Sequence, residues 1–178
     1  MEKIIIYGSK YGFTKSYAIE LAKRTKIKAI SYKEISSLEN YETIVYFGGL
    51  YASNVLGLSK TLKKYPIKDN QKLVIVTVGI GDPRLDSIVD EIKVALKKQL
   101  PQDLFDKCYV YNLQGGLSIN KLNFFERLIM KIIYNHAKKE PQNDRFVEIK
   151  KVFESENQEL SFVNFDNLNI IISELKLK

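Results

Sequence analysis

The sequence contains few of the residues that build disulfide frameworks and metal centres. Its 178 residues include one cysteine (Cys108), one histidine (His136) and no tryptophan. A single cysteine excludes a disulfide within the chain and is typical of proteins from a reducing compartment. With one histidine, one cysteine and no clustered carboxylates, we expect no dedicated metal centre.

Long apolar segments are also absent from the sequence. No apolar run reaches the roughly 20 residues that a membrane-spanning helix needs, and the N-terminus lacks a signal-peptide pattern. The hydrophobic fraction is 45% and the charged fraction is 28%, as in ordinary globular domains. We therefore expect a cytoplasmic protein with one domain over residues 1–178 and no integral membrane segment.

Positive charge exceeds negative charge. Lys and Arg number 28 and Asp and Glu 21, which gives a formal net charge of +7. Because the cations are dispersed and no recognition motif is visible, we do not expect nucleic acid as a partner. Most of the lysines fit solvated helix faces, but the excess also suits an acidic protein, a carboxylated substrate or a membrane surface. Peripheral contact with a membrane therefore stays open.

Short runs of apolar, β-branched residues alternate with amphipathic helical patterns. This alternation predicts parallel strands joined by right-handed helical crossovers. The predicted strands are residues 3–7, 27–31, 43–49, 72–78 and 107–113. The predicted helical segments are residues 14–26, 56–65 and 121–138, together with a brief helical turn at 34–38. A further helix is predicted with Asp82 as its N-cap and Pro83 as its first residue.

The C-terminal third predicts a less regular arrangement. The helix at 121–138 carries an apolar stripe from Phe124 to Ile133, which we expect to pack on the sheet rather than to anchor in a membrane. Residues 140–159 are charge-rich and predict a surface excursion with a short helix near 145–153. We expect an extended piece at 162–165 and a final helix, capped by Asn164 or Asp166, that runs through Leu175.

The loop after the first predicted strand has the composition of a phosphate site. It contains Ser9, Lys10, Tyr11, Gly12, Phe13 and Thr14 and leads directly into the first helix. The first amides of a helix have no partner within it, and the helix dipole adds partial positive charge there. Ser9 and Thr14 add hydroxyl donors, so the loop predicts binding of some phosphate.

Two further glycine-bearing loops follow the third and fourth predicted strands. The second loop holds Gly49, Leu50, Tyr51 and Ala52, and the third holds Gly79, Ile80, Gly81 and Asp82. In an open parallel sheet, ligands bind beyond the carboxyl ends of the strands. The three loops therefore favour a mononucleotide with a planar ring, on which Tyr51 could stack. Alternatively, the second loop is only a strand-ending turn and the third only caps a helix.

The first and third loops resemble those of the flavodoxin-like family. Residues 9–14 are similar to its hydroxyl-x-x-Gly-x-Thr phosphate loop, and residues 79–82 look like its second ring-binding loop. The resemblance implies an α/β three-layer sandwich with helices on both faces of a five-stranded parallel sheet, in the order 2-1-3-4-5. It also implies non-covalent binding of FMN.

Residues 115–131 are similar to a segment in the flavodoxin-domain relatives of menaquinone-dependent protoporphyrinogen IX dehydrogenase. That resemblance implies quinone-dependent oxidation of protoporphyrinogen IX in haem biosynthesis. An electron carrier that serves redox protein partners is the other interpretation, and a flavin-loaded sensing module is a third. Electron transfer needs no acid–base pair and none is visible, so we predict no catalytic side chain.

Overall fold

The computed structural model describes residues 2–51, 53–140 and 142–176, with every side chain in these ranges except that of Arg145. Five parallel strands form the central sheet: β1 (Glu2–Gly8), β2 (Ala29–Ser31), β3 (Tyr41–Tyr51), β5 (Lys72–Gly79) and β6 (Tyr109–Gln114). Their spatial order is β2-β1-β3-β5-β6, and the short strand β4 (Asn54–Val55) pairs antiparallel with the end of β3. The predicted order of the five parallel strands is confirmed.

Helices cover both faces of this sheet. The α-helices of the described residues are α1 (Phe13–Thr25), α2 (Leu58–Lys64), α3 (Asp86–Gln99), α4 (Gln102–Lys107), α5 (Phe124–Lys139), α6 (Val147–Glu154) and α7 (Leu168–Leu175), and all but α5 and α6 lie on the sheet faces. On one face Ile5, Val45 and Val74 pack with side chains of α1 and α7. On the other face Ile4 and Ile44 pack with side chains of α2 and α3. Burial on both faces explains why the strands are continuous apolar runs rather than alternating ones.

Residues 116–161 form an insertion between β6 and the final helix. Its ends are β7 (Gly116–Ser118) and β8 (Glu159–Ser161), which pair antiparallel with each other, and α5 and α6 lie between them. The Phe162 backbone N–H donates to the Gly115 carbonyl at 2.7 Å, so the chain leaves the sheet and returns to it at one place. The insertion contains a separate apolar cluster around Leu117, Leu122 and Val152, against which Tyr11 and Ile80 of the strand-end loops also pack.

Several predicted elements differ from those observed. Residue 34 lies in a turn and residues 35–38 are irregular rather than helical, and Ile35 and Leu38 nevertheless reach the core. The extended piece that was predicted at 162–165 is found earlier in the chain, as β8 (Glu159–Ser161), because these residues are the ones that pair with β7. The helix near 145–153 is present as α6. Asn164 caps the 3₁₀ turn Phe165–Asn167 that leads into α7, and its side chain accepts the Asp166 N–H at 2.9 Å. The N-cap of α7 itself is Asn167 and not Asn164 or Asp166.

The apolar stripe of α5 does not pack on the sheet, contrary to the prediction. Phe124 and Phe125 are 76% and 73% exposed, and Leu128, Ile129 and Ile132 are at least half exposed. Other helices already cover both sheet faces, and α5 instead lies against α6 and the carboxyl edge of the sheet. No helix within the described ranges combines the length and apolar character needed to cross a membrane.

Candidate functional site

Residues 9–14 link β1 to α1 at the carboxyl edge of the sheet. Gly12 is the N-cap of α1 and has φ of +99°, a conformation that favours glycine because other residues carry a Cβ. Its N–H donates to Ser9 Oγ at 3.2 Å, which shapes the turn. Among the described residues, no side chain caps α1 by hydrogen bonding, and its first turn holds no acidic residue. The start of α1 therefore offers amides and partial positive charge to an anion.

The last part of β3 approaches α1 closely. A Cβ added at Gly49 would lie 2.9 Å from Thr14 Oγ1 and 3.4 Å from the Gly8 carbonyl oxygen, so a larger residue does not fit without movement. Thr14 itself is 4% exposed. Residues 49–51 of the predicted second loop are therefore strand, because β3 runs to Tyr51 and pairs there with β4. They nevertheless contact the first loop, since β1 and β3 are neighbouring parallel strands.

A cavity of about 280 Å³ lies where the three loops meet. Predicted site residues that line it are Ser9, Lys10, Tyr11, Phe13, Thr14, Gly49, Leu50, Tyr51, Gly79 and Ile80. Gly12 does not line it, Gly81 lines a neighbouring cavity of about 610 Å³, and Ala52 lies outside the described residues. The two cavities share wall residues, including Leu50, Ile80 and Ile133, so they adjoin beneath α5. Together they fall within the volume range of about 300–1,000 Å³ that ligand sites occupy.

Asp82 has a different role from the predicted one. The helix that follows it begins at Asp86 with Leu85 as N-cap, so Asp82 does not cap that helix. Its carboxylate accepts the Arg84 N–H at 3.0 Å and the Arg84 Nε–H at 2.9 Å. These hydrogen bonds from Arg84 hold the pKa of Asp82 below its ordinary value. An aspartate that accepts a backbone N–H two residues later stabilises a turn, and because of this turn the helix begins at Asp86 instead of Pro83.

Glu126 is the site residue that the sequence analysis missed. It lies in the first turn of α5, is 7% exposed and lines the cavity. Its carboxylate accepts hydrogen bonds from Lys10 Nζ and from the hydroxyls of Tyr51 and Tyr11, the last at 2.7 Å. The pattern Asn123-x-x-Glu126 before an apolar run is a capping-box signal that could have located the residue. It could not show that the carboxylate meets a loop more than a hundred positions earlier.

The capping box of α5 positions this carboxylate. The Asn123 side chain accepts the Glu126 N–H at 3.0 Å, and Glu126 Oε2 accepts the Asn123 N–H at 2.9 Å. The same carboxylate therefore both starts α5 and ties it to residues 10 and 11. The hydrogen bonds from Lys10 and Tyr11 to Glu126 join residues that are 116 and 115 positions apart in the chain. They therefore tie the start of α5, and with it the insertion, to the loop that lines the cavity.

Electrostatics keep Glu126 charged. Burial alone would raise its pKa, but the hydrogen bonds from Lys10, Tyr51 and Tyr11 outweigh burial and lower the pKa to about 2. The same interaction with Glu126 raises the pKa of Lys10 above its ordinary value. Burial, reinforced by Glu126, raises the pKa of Tyr11 to about 12, so its hydroxyl remains a donor. At neutral pH a cation and an anion thus face each other at the edge of the cavity.

Lys10 also covers one side of the predicted stacking residue. Lys10 Nζ lies 4.3 Å from the centroid of the Tyr51 ring and 3.2 Å from its hydroxyl oxygen. Tyr51 is 38% exposed at the end of β3. The remaining walls of the cavity are largely apolar and come from all three loops and from α5. The site therefore has a polar, anion-binding end and an apolar end suited to a flat ring.

Comparisons with known proteins agree with this fold. The family model described as "Flavodoxin domain" matches residues 4–144. A comparison with curated proteins returns no match. Solved structures that are similar include an FMN-dependent NADH-azoreductase from Bacillus anthracis in complex with FMN, at 10% identity over 64% of this chain and 87% of that chain, with a TM-score of 0.47.

Two further solved structures are similar. A flavoprotein in complex with FMN from Lactobacillus acidophilus is 13% identical over 64% of this chain and 91% of that chain, with a TM-score of 0.43. A flavodoxin from the domain Archaea is 11% identical over 64% and 83%, with a TM-score of 0.41. Because the TM-scores of these solved structures are low, only the match to the domain model assigns the chain to a family. Because that match spans most of the chain, the protein belongs to the flavodoxin-domain family.

Proposed function

We propose that the protein binds FMN non-covalently at the carboxyl edge of its sheet and transfers electrons through it. The observation that carries this proposal is the uncapped start of α1, which faces a cavity bounded by three strand-end loops. Membership of the flavodoxin-domain family supports the choice of FMN.

The residues present fit a flavin mononucleotide. The first amides of α1, Ser9 and Thr14 form a donor set for a phosphate with no acidic residue in the helix turn. Lys10 lies in the same loop, and its charge is paired with that of Glu126. The close contact between Gly49 and Thr14 leaves no room for a Cβ, as expected where backbone must approach a ligand.

The apolar end of the cavity suits the ring. Leu50 and Ile80 line it from two loops, while Ile133 of α5 lies across from them. These side chains exclude water, and Tyr51 is held in place by its hydroxyl hydrogen bond to Glu126. When bound, FMN supplies a ring that takes up and releases one or two electrons, whereas the protein supplies position and electrostatics.

Quinone-dependent oxidation of protoporphyrinogen IX is the second candidate function. The adjoining cavity of about 610 Å³ favours it, because a planar substrate could lie there beside the flavin ring. A carrier for redox protein partners needs no such space. We rank the carrier first, since the loop after β5 is a compact turn held by Asp82 and Arg84.

Titration and turnover test these assignments. Protein purified with FMN should be yellow, release FMN rather than FAD on denaturation, and bind FMN in a micromolar titration. Failure to bind would remove the proposal. For the loaded protein, anaerobic assays with protoporphyrinogen IX and a menaquinone analogue decide between the two functions. Quinone-dependent turnover would establish the enzyme, whereas reduction by a flavin reductase without porphyrinogen turnover would establish the carrier.

A further inference from the structure

The outer face of α5 is an exposed apolar surface. We define it by Phe124, Phe125, Leu128, Ile129 and Ile132, with exposed fractions of 76%, 73%, 50%, 55% and 61%. These five account for half of the ten exposed large hydrophobic residues in the described part of the chain, and all lie within three turns of one helix. Apolar residues concentrated in this way mark an interaction surface, whereas scattered ones do not.

A basic strip borders this face. Arg127, Lys131 and Lys138 follow at spacings of four and seven residues, which place them along one side of the helix. The Arg127 guanidinium also donates to the carbonyls of Leu122 and Asn120, whereas Lys131 and Lys138 are exposed. The only acidic residue of α5 is Glu126, and it points inward to Lys10, Tyr11 and Tyr51. The outward side of α5 therefore combines aromatic and aliphatic side chains with positive charge and carries no carboxylate.

We propose that the outer face of α5 docks on the surface of an anionic lipid bilayer. Phe124 and Phe125 enter the boundary between headgroups and acyl chains, and the basic strip contacts the lipid phosphates. Amphipathic helices with this combination lie in the plane of the interface, and each nearby cation adds to their attraction for anionic lipid. The formal net charge of +7 acts in the same direction.

The charges disfavour a second copy of the chain as the occupant. A two-fold dimer through α5 would bring the same cations to both sides of the interface and no acidic side chain of α5 to meet them. The shape also suits lipid, because the two phenylalanines project from a single helix instead of lining a groove. Docking of this face does not require that the cavity hold FMN.

The same helix joins the docking face to the cavity. Glu126, Met130 and Ile133 line the cavity from the inner side of α5, and Ile129 belongs to both surfaces. A bilayer that contacts the outer face would therefore lie beside the rim of the cavity. An apolar reactant dissolved in the bilayer could reach the site without crossing water.

Vesicle sedimentation tests the proposal. The full-length protein should co-sediment with vesicles of phosphatidylglycerol and phosphatidylcholine, and much less with phosphatidylcholine alone. A Phe124→Ser, Phe125→Ser double variant should bind anionic vesicles at least about tenfold more weakly. A Lys131→Gln, Lys138→Gln variant should lose about thirtyfold at low salt and little at high salt. The matched control Val94→Ser, at a 52% exposed site on α3, should bind as the wild type does.

A tryptophan reporter keeps the test independent of folding defects. Because the chain contains no tryptophan, F125W introduces a single one without reducing the apolar surface. Its emission should shift to the blue with anionic vesicles, whereas V94W should not shift. Equal binding by the wild type and the double phenylalanine variant would overturn the proposal. Absence of vesicle binding by the wild type would also overturn it and would leave an acidic protein as the occupant. A concentration-dependent dimer that the double phenylalanine variant abolishes would overturn it in favour of a second copy of the chain.

Discussion

Thr14 and Glu126 line the same cavity, and substitutions at these two residues should have different effects. Thr14 should donate its hydroxyl to the phosphate of FMN. Replacement by alanine should weaken FMN binding by about 1.5–3 kcal/mol, or about 10- to 150-fold in Kd. Binding of riboflavin, which has no phosphate, should change far less, and fluorescence titration measures both.

Thr25 provides the matched control for this substitution. It lies at the other end of α1 and donates its hydroxyl to the Leu21 carbonyl at 2.8 Å, outside the cavity. Thr25→Ala should leave the ratio of the FMN and riboflavin affinities unchanged. Equal losses of both ligands in Thr14→Ala would show that Thr14 supports the fold instead of the phosphate.

Glu126 should make folding stability depend on acid pH. Its pKa is about 2 in the folded protein against an ordinary value of 4.5, so its carboxylate stabilises the fold fully above pH 4.5. That contribution falls as pH decreases from 4.5 towards 2, because the unfolded chain takes up the proton first. Glu126→Gln preserves the capping-box pattern and removes the charge. Urea unfolding should therefore show the largest loss relative to wild type near neutral pH and a shrinking loss below pH 4.5.

The exposed Glu156, in the turn before β8, is the control for Glu126. Glu156→Gln should not reproduce the pH-dependent difference. A constant difference between wild type and Glu126→Gln across this range would mean that the charged contact with Lys10 does not stabilise the fold.

Residues near one another in sequence were the predictable part of the site. Ser9 to Thr14 carry a local pattern, since a strand end, a glycine and hydroxyls in one turn suffice to suggest a phosphate loop. Glu126 was not predictable because its partners are remote in the chain, and no periodicity records such a contact. Asp82 was mistaken for a cap because aspartate before proline is equally compatible with a turn.

At the scale of elements, α5 depends on its capping box. Asn123→Ala removes the acceptor for the Glu126 N–H and should cost about 1 kcal/mol of stability. The exposed Asn135 lies in the same helix and away from its start, so Asn135→Ala should not destabilise the protein. Thermal unfolding compares the two variants. Equal midpoints for both would show that the cap contributes nothing measurable.

The helix at 121–138 was predictable, but its environment was not. The 3.6-residue period shows which side of α5 is apolar, and both a sheet face and a bilayer satisfy the same period. What excludes the sheet is that α1, α2, α3 and α7 already cover it, and this is a property of the whole arrangement. The short strands β4, β7 and β8 were missed for a similar reason, because two or three residues become a strand only through a partner.

At the scale of the whole molecule, the parallel sheet was the most predictable feature. Fully buried strands such as β3 and β5 are continuous apolar runs, and the intervening helices force parallel connections. The limits of the insertion at 116–161 were not predictable. They depend on the pairing of β7 with β8, whose sequences have little strand character of their own.

We expect the junction of Gly115 with Phe162 to divide the molecule into two cooperative units of unfolding. Since the insertion departs and returns at one backbone hydrogen bond and contains most of a separate apolar cluster, it should open while the sheet stays intact. Amides of α5, α6, β7 and β8 should exchange hydrogen for deuterium as one group, well before those of β1, β3 and β5. Glu126→Gln should accelerate the first group alone, and mass-resolved exchange would detect the difference.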